Sequence, residues 1–397
     1  MIDLLREWAI AHGARPKGGS PNAPSDGAPA GELESLPWGV TDELPTGVCE
    51  IIATLGSVEL EYAAIHRSAA VIDASHRAII AITGEDRHEF LDRLVTNKVT
   101  GKAGEVVEAF LLDRSGRILA EVVIGTGQDT TWLAVDVAQR EVVSMLLESF
   151  IFTEDVVVAQ ADDEMHTIEV HGTAAAASLS DAIAKKPILL ADRELVSIEI
   201  GGDEITVWRL DTVGVPGLHI TGPADHLRGI VESMISDTQA RPIGWFAYNM
   251  ARVESLNPMM NIDYGTRSIP NETGVLTTHV SGSKGCFPGQ EIVTRIASRG
   301  KPRQVVVGLK VHGDGLPVAG SQIYADESGS IGPPVGIVTS STISPLRGAT
   351  PIALATIKTA STESGTIVRL TAEGEEITAT VMPLAASTSG EAEVASP

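Results

Sequence analysis

The chemistry in this chain is concentrated in residues 281–303, Ser-Gly-Ser-Lys-Gly-Cys-Phe-Pro-Gly-Gln-Glu-Ile-Val-Thr-Arg-Ile-Ala-Ser-Arg-Gly-Lys-Pro-Arg. Cys286, one of two cysteines, lies between Gly285 and a Pro288-Gly289 turn, ahead of the amphipathic run Gln290 to Ala297. A helix over that run would set the thiol at or near its N-terminus, where unpaired N–H groups and the helix dipole favour negative charge. With Lys284 two residues away and Arg295 in the same run, this setting favours the thiolate, the nucleophilic and metal-binding form. Small cysteines buried in turns are inert packing residues. The residue types alone leave both readings open.

The elements that must position this stretch belong to a chain of 397 residues, long enough for two or three domains and a sizeable core. Aromatics make up only 4%, so Val, Ile, Leu and Ala must fill the interior. A net charge of −23 repels phosphates and anionic lipid, which argues against direct nucleic-acid binding and against membrane surfaces. The local exception is Lys284, Arg295, Arg299, Lys301 and Arg303, where an anionic ligand could bind. Cys49 and Cys286 form neither a disulfide framework nor a Cys-x-x-Cys pair, and the ten histidines show no close ligand spacing. No metal site is therefore expected. No apolar run approaches the ~18 residues that cross a bilayer, and the N-terminus lacks the basic start and apolar core of a signal peptide. A reduced, cytoplasmic protein is the expectation.

Residues 1–45 read as a flexible N-terminal appendage: a short amphipathic helix carrying Leu4, Leu5 and Trp8, then a Pro/Gly/Ser-rich linker over 16–31. Val71 to Gly84 alternates as a strand pair, and a helix follows over Glu85 to Val95. Ala109 to Ile124 reads as a hairpin turning at Asp113-Arg-Ser-Gly116. Helices are expected over 138–150, 173–184 and 244–254, with strands over 155–170, around an acidic turn at 162–164, and over 198–220. After Arg303 short Val/Ile/Thr runs between Gly-rich turns predict a β-barrel. The Ser-, Glu- and Ala-rich end reads as a disordered tail.

Lys284-Gly-Cys-Phe-Pro-Gly-Gln-Glu291 resembles the K-G-C-(F/Y)-x-G-Q-E motif of the YgfZ family, folate-binding relatives of the glycine-cleavage T-protein, an aminomethyltransferase. The block holding Asp73, Ser75, Gly84, Asp86, Phe90, Leu91, Leu94, Thr96 and Asn97 resembles the opening of T-protein relatives. Arg252 and Glu254 keep the close of another family stretch, and Gly336-Ile-Val-Thr-Ser340 with Ser344-Pro345 resembles the family's C-terminal barrel motif. The resemblance covers roughly residues 55–385.

It implies an α+β fold of the aminomethyltransferase type, with residues 46–300 as the folate-binding domain, 301–386 as a C-terminal β-barrel and 387–397 as the tail. It implies tetrahydrofolate as cofactor, iron–sulfur client proteins as partners, including some that modify tRNA, and Cys286 with Lys284 as the working pair. Gln290 and Glu291 would position the loop. The T-protein hairpin carries two aspartates against the folate; here Ala120 and Glu121 occupy those places. His219 stands where a glutamate reads the pterin, and a neutral imidazole has one acceptor nitrogen at most. Tyr248 stands where an arginine touches folate, and would either stack on the pterin or belong to the core. Arg77 is a further candidate contact. Arg252 is expected to brace the fold through ion pairs. Three readings follow: a folate-binding accessory of iron–sulfur enzymes, an aminomethyltransferase, or a ligand-free scaffold.

Overall fold

The computed structural model describes residues 4–12, 14–16, 32–40, 44, 46–160, 165–183 and 187–384. It divides into two compact units. The first comprises residues 1–91, 99–107 and 122–249, the second residues 92–98, 108–121 and 250–397. The linker read over 16–31, the acidic turn at 162–164 and the tail at 387–397 lie, but for Pro16, outside the described residues.

The first unit is built on a six-stranded sheet of order Leu195–Ile200, Asp203–Arg209, Gly217–Pro223, Met165–His171, Ala70–Asp73, Arg241–Pro242. Period-two alternation sends Ile168 and Val170, Ile205 and Val207, and Leu218 and Ile220 into one apolar core. That core includes residues of the helices Leu4–Ala11, Ala175–Ala182 and Ala224–Ser236. The intervening residues Thr167, Glu169 and His171 take the other face and are equally buried. A second, five-stranded sheet runs Val106–Leu112, Ile118–Thr126, Thr131–Asp136, Arg77–Thr83, Val157–Gln160. The tip of its first hairpin, residues 108–121, belongs to the second unit.

Two expectations need correction here. Leu4–Ala11 is no loose appendage: Leu4 and Leu5 are fully buried in the sheet's core, each stabilising by about 1.5–3 kcal/mol. The Leu4 amide also donates to Asp73 Oδ2 at 2.8 Å, and Glu32–Trp38 pairs antiparallel with Cys49–Thr54. The helix's apolar side was legible, but the surface that covers it exists only once the sheet has formed. The strands Ala70–Asp73 and Arg77–Thr83 both form, yet they do not pair with each other. They enter different sheets, because Ala74 N bonds to Thr167 O and Arg77 N turns back to Ala74 O.

In the second unit six strands between Gln304 and Met382 close a barrel, filled by Val307, Leu309, Ile323, Val338, Ile357 and their neighbours. The helix Trp245–Glu254 ends on two buried charges that hold barrel side chains. Arg252 pairs with Asp263 at 2.5 Å and donates to Ser340 at 3.0 Å, while the Glu254 carboxylate accepts from Ser344 and the Leu346 amide. Arg252 is thus the expected brace.

Candidate functional site

The cysteine loop is fixed on both sides of an exposed thiol. Cys286 is exposed, whereas Lys284 and Phe287 are buried. Phe287 joins a core with Phe110, Ile118, Val253 and Val293. The following helix is Gln290–Arg299, so it begins four residues after the thiol and not beside it. Gly289 enters it at φ 76°. A Cβ there would lie 2.6 Å from Asp113 O and 2.8 Å from Gly116 Cα, closer than atoms pack. A Cβ on Gly116, at φ 79°, would lie 2.9 Å from Ile292 Cβ. The two glycine turns thus interlock, which gives the Pro288-Gly289 and Asp113–Gly116 signatures one shared physical reason.

Lys284 does something other than hold a thiolate. Its ammonium donates to the main-chain carbonyls of Asp92, of Val95 at 2.7 Å and of Asn97 at 3.0 Å. The Asp92 carboxylate lies 3.5 Å away. Three carbonyls use all three ammonium protons, at the C-terminal end of the helix Arg87–Leu94, where a cation is favoured. Burial lowers its pKa, partly offset by Asp92. Lys284 is a strut for the loop, and the sequence reading that paired it with Cys286 is corrected. Gln290 reaches Gly285 O at 3.5 Å, a weak tie across the loop. Glu291 is an exposed acid in the first helical turn, and Arg295, Arg299 and Lys301 are exposed beyond it.

In the same unit Glu121 sits in a cluster that the sequence did not assemble. Its Oε2 accepts from the Tyr264 hydroxyl at 2.8 Å, and its Oε1 lies 3.1 Å from His279 Nε2. Glu108 Oε1 is 3.9 Å from the same nitrogen. His279 Nδ1 is 2.8 Å from Thr278 Oγ1, and Phe110 stacks on the imidazole at 4.7 Å. Burial works to lower the His279 pKa, but the Glu121 hydrogen bond and the charges of Glu108 and Glu121 outweigh it, and the net shift is upward. Burial and the Glu121 charge raise the Tyr264 phenol well above its ordinary value. The Glu121 side chain keeps 21% of its surface exposed. Ala120 is buried. Lone acids in the apolar runs Val-Val-Glu108-Ala-Phe and Leu-Ala-Glu121-Val-Val were the available signal; nothing in the sequence ties His279 to them.

Tyr248, His219 and Arg77 lie in the first unit. Tyr248 is 2% exposed, stacked on Trp245 at 5.5 Å and tilted against His171 at 5.4 Å, its hydroxyl 3.3 Å from Thr212 Oγ1. It is a core tyrosine, with its faces taken by protein. His219 is buried, with Nδ1 3.2 Å from Glu169 Oε1 and Nε2 3.3 Å from Leu210 O. Glu169, which faces His219 across the sheet, also binds His171 Nε2 at 3.0 Å. Burial would raise its pKa, but the two histidines hold it well below the carboxylate range. The alternation Thr167-x-Glu169-x-His171 was the signal for this group. His76, wedged near Trp38 and Trp245, is driven down to about 4 by burial and then by Arg77. Arg77 itself is half-buried, in register with Asp136. A cleft of about 600 Å³ beside Ile183, Ile188, Ile198 and Ile230 gathers none of the expected site residues.

Comparison with known proteins defines the class first. The fold is that of the crystal structure of glycine cleavage system aminomethyltransferase T from Bartonella henselae, with a TM-score of 0.78 over 89% of this chain and 93% of that one at 22% identity. Residues 52–281 match the GCVT N-terminal domain and residues 304–386 the glycine cleavage T-protein C-terminal barrel domain. The chain belongs to this glycine-cleavage T-protein family. Similar proteins include the aminomethyltransferase of Geobacillus kaustophilus, 25% identical over 84% of this chain and 92% of that protein. That of Bacillus subtilis is 25% identical over 80% and 88%. No helix among the described residues is long and apolar enough to cross a membrane.

Proposed function

We propose that this chain is a tetrahydrofolate-binding accessory protein of the YgfZ kind, supporting the assembly or maintenance of iron–sulfur clusters in client enzymes, with Cys286 as its working thiol. The observation that carries this reading is the contrast within one loop: an exposed sulfur between a buried lysine and a buried phenylalanine. Such a thiol is presented to large partners while its backbone is held still. One cysteine offers one of the several thiolates a cluster needs, so the client or a donor protein must bring the rest. Lys284 keeps the loop in place and leaves the sulfur free to act as nucleophile, redox thiol or transient ligand.

Folate fits the donor set in part. Glu121 and Glu108 are acceptors with surface in reach of a ligand's N–H groups, and they are the residues that would hold it. Tyr248 is closed off by protein, and the His219 ring nitrogens already face Glu169 and Leu210 O, so neither would. Bound tetrahydrofolate would supply nitrogens that accept a one-carbon unit. The chain's own part is to offer fixed carboxylates to such donors, with Ala120 where its relatives' motif has a second acid. That missing carboxylate favours the accessory reading over aminomethyl transfer, the activity in its relatives' names.

The test is complementation. In cells lacking the chain, the activity of an iron–sulfur enzyme that depends on it should return with the wild type and not with Cys286→Ser at equal protein level. Full rescue by Cys286→Ser would remove the thiol from the account.

A further inference from the structure

The groups around His279 favour its charged form. Thr278 Oγ1 has one proton and two neighbours that can take it, Val275 O at 2.9 Å and His279 Nδ1 at 2.8 Å. When it donates to Val275 O it accepts from the ring, and Nδ1 then carries a proton. On the other side Nε2 faces Glu121 Oε1 at 3.1 Å and Glu108 Oε1 at 3.9 Å, and ionised carboxylates are acceptors only. Nε2 carries a proton as well. Phe110 stacks against the ring and the Tyr264 hydroxyl donates to Glu121 Oε2, so neither supplies His279 with a proton donor. Asp263 adds its negative charge on the Tyr264 side.

We propose that His279 is a resident imidazolium, a positioning residue that keeps Glu108 and Glu121 both ionised and aims Glu121 as an acceptor at a ligand bearing N–H donors. One positive ring between two carboxylates leaves the group with a net charge of −1, suited to an amine or ring N–H and hostile to phosphate. The proposal rests on the folate reading only for the identity of that ligand. The direction of the His279 shift, upward despite burial, agrees with the hydrogen-bond argument. His279 is seven residues from Cys286, so the thiol loop and the acid pair are set by one continuous segment.

Two measurements on the full chain separate the claims. Nitrogen NMR of labelled histidine should show both His279 ring nitrogens protonated at pH 7, with titration above the free-histidine value; a neutral ring at pH 7 overturns the proposal. Calorimetric titration with tetrahydrofolate should show His279→Gln, which keeps a donor but loses the charge, weakened roughly ten- to hundredfold, as for a lost charged hydrogen bond. The wild-type affinity should fall on the alkaline side as His279 loses its charge, that fall should be missing in His279→Gln, and Glu108→Gln should weaken binding less. Unchanged affinity and pH profile in His279→Gln would overturn the positioning role. If the wild type gives no saturable heat while His279 is an imidazolium, the acid site stands and the folate assignment falls.

Discussion

Two clusters of glutamate, histidine and tyrosine in this chain use the same residue types for opposite ends. In the first unit Glu169 and His171 are wholly buried and Tyr248 is packed between Trp245 and His171. Glu169 lies between His171 and His219 and is sealed from solvent. In the second unit Glu121 also binds His279 and Tyr264, yet a fifth of its side chain stays exposed. A carboxylate accepts at both oxygens, so a fixed glutamate that is partly exposed can be reached by a ligand's N–H groups. The difference teaches that residue type does not mark the site; residual access does. The clusters can be told apart by what each loses when cut.

The largest effect is expected in the sealed cluster. Tyr248→Ala should cost about 3–5 kcal/mol, as for other buried aromatics, measured by urea unfolding; a loss below ~1 kcal/mol would mean the ring is not core. Next comes acid sensitivity. His76 has a folded pKa near 4 against about 6.5 unfolded. Protonation thus favours the unfolded state, and stability should fall as pH drops from about 6.5 toward 4, by up to ~3 kcal/mol from this group. His279 works with the opposite sign. Its folded pKa is raised, so its contribution is complete below about 6.5 and is lost as pH rises through the folded value. Unfolding midpoints from pH 4 to 9 should show the acid limb flatten in His76→Asn and the alkaline limb flatten in His279→Gln. Lys284→Met should cost about 1.5–3 kcal/mol through its lost charged hydrogen bonds, while iodoacetamide alkylates Cys286 at the wild-type rate. A large drop in that rate would restore Lys284 as the thiol's activator. The smallest stability effect belongs to Glu121→Gln, within about 1 kcal/mol, because a partly exposed amide can still be solvated.

Much of the architecture was legible. Alternating Val and Ile runs named most strands, and the texture after Arg303 announced the barrel. What failed was partner choice. Leu4, Leu5 and Trp8 declared an apolar helix side, but the sheet core that takes it is assembled from residues far along the chain, among them Ile168 and Leu218. Tyr248 could be read as a stacking platform or as core, and only burial decides. Lys284 sat two residues from Cys286, yet short sequence distance said nothing of the carbonyls of Val95 and Asn97 that claim it. The Glu121 position was readable by resemblance; its imidazolium partner was not, since Thr278-His279 joins it through tertiary packing alone.

Whether Glu121 reads a folate is open to one direct measurement. Calorimetric titration of tetrahydrofolate should give saturable binding to the wild type, little change in Tyr248→Phe, and a loss of at least about tenfold in Glu121→Gln. Binding of equal strength to wild type and Glu121→Gln, or weakened only by Tyr248→Phe, would contradict that reading.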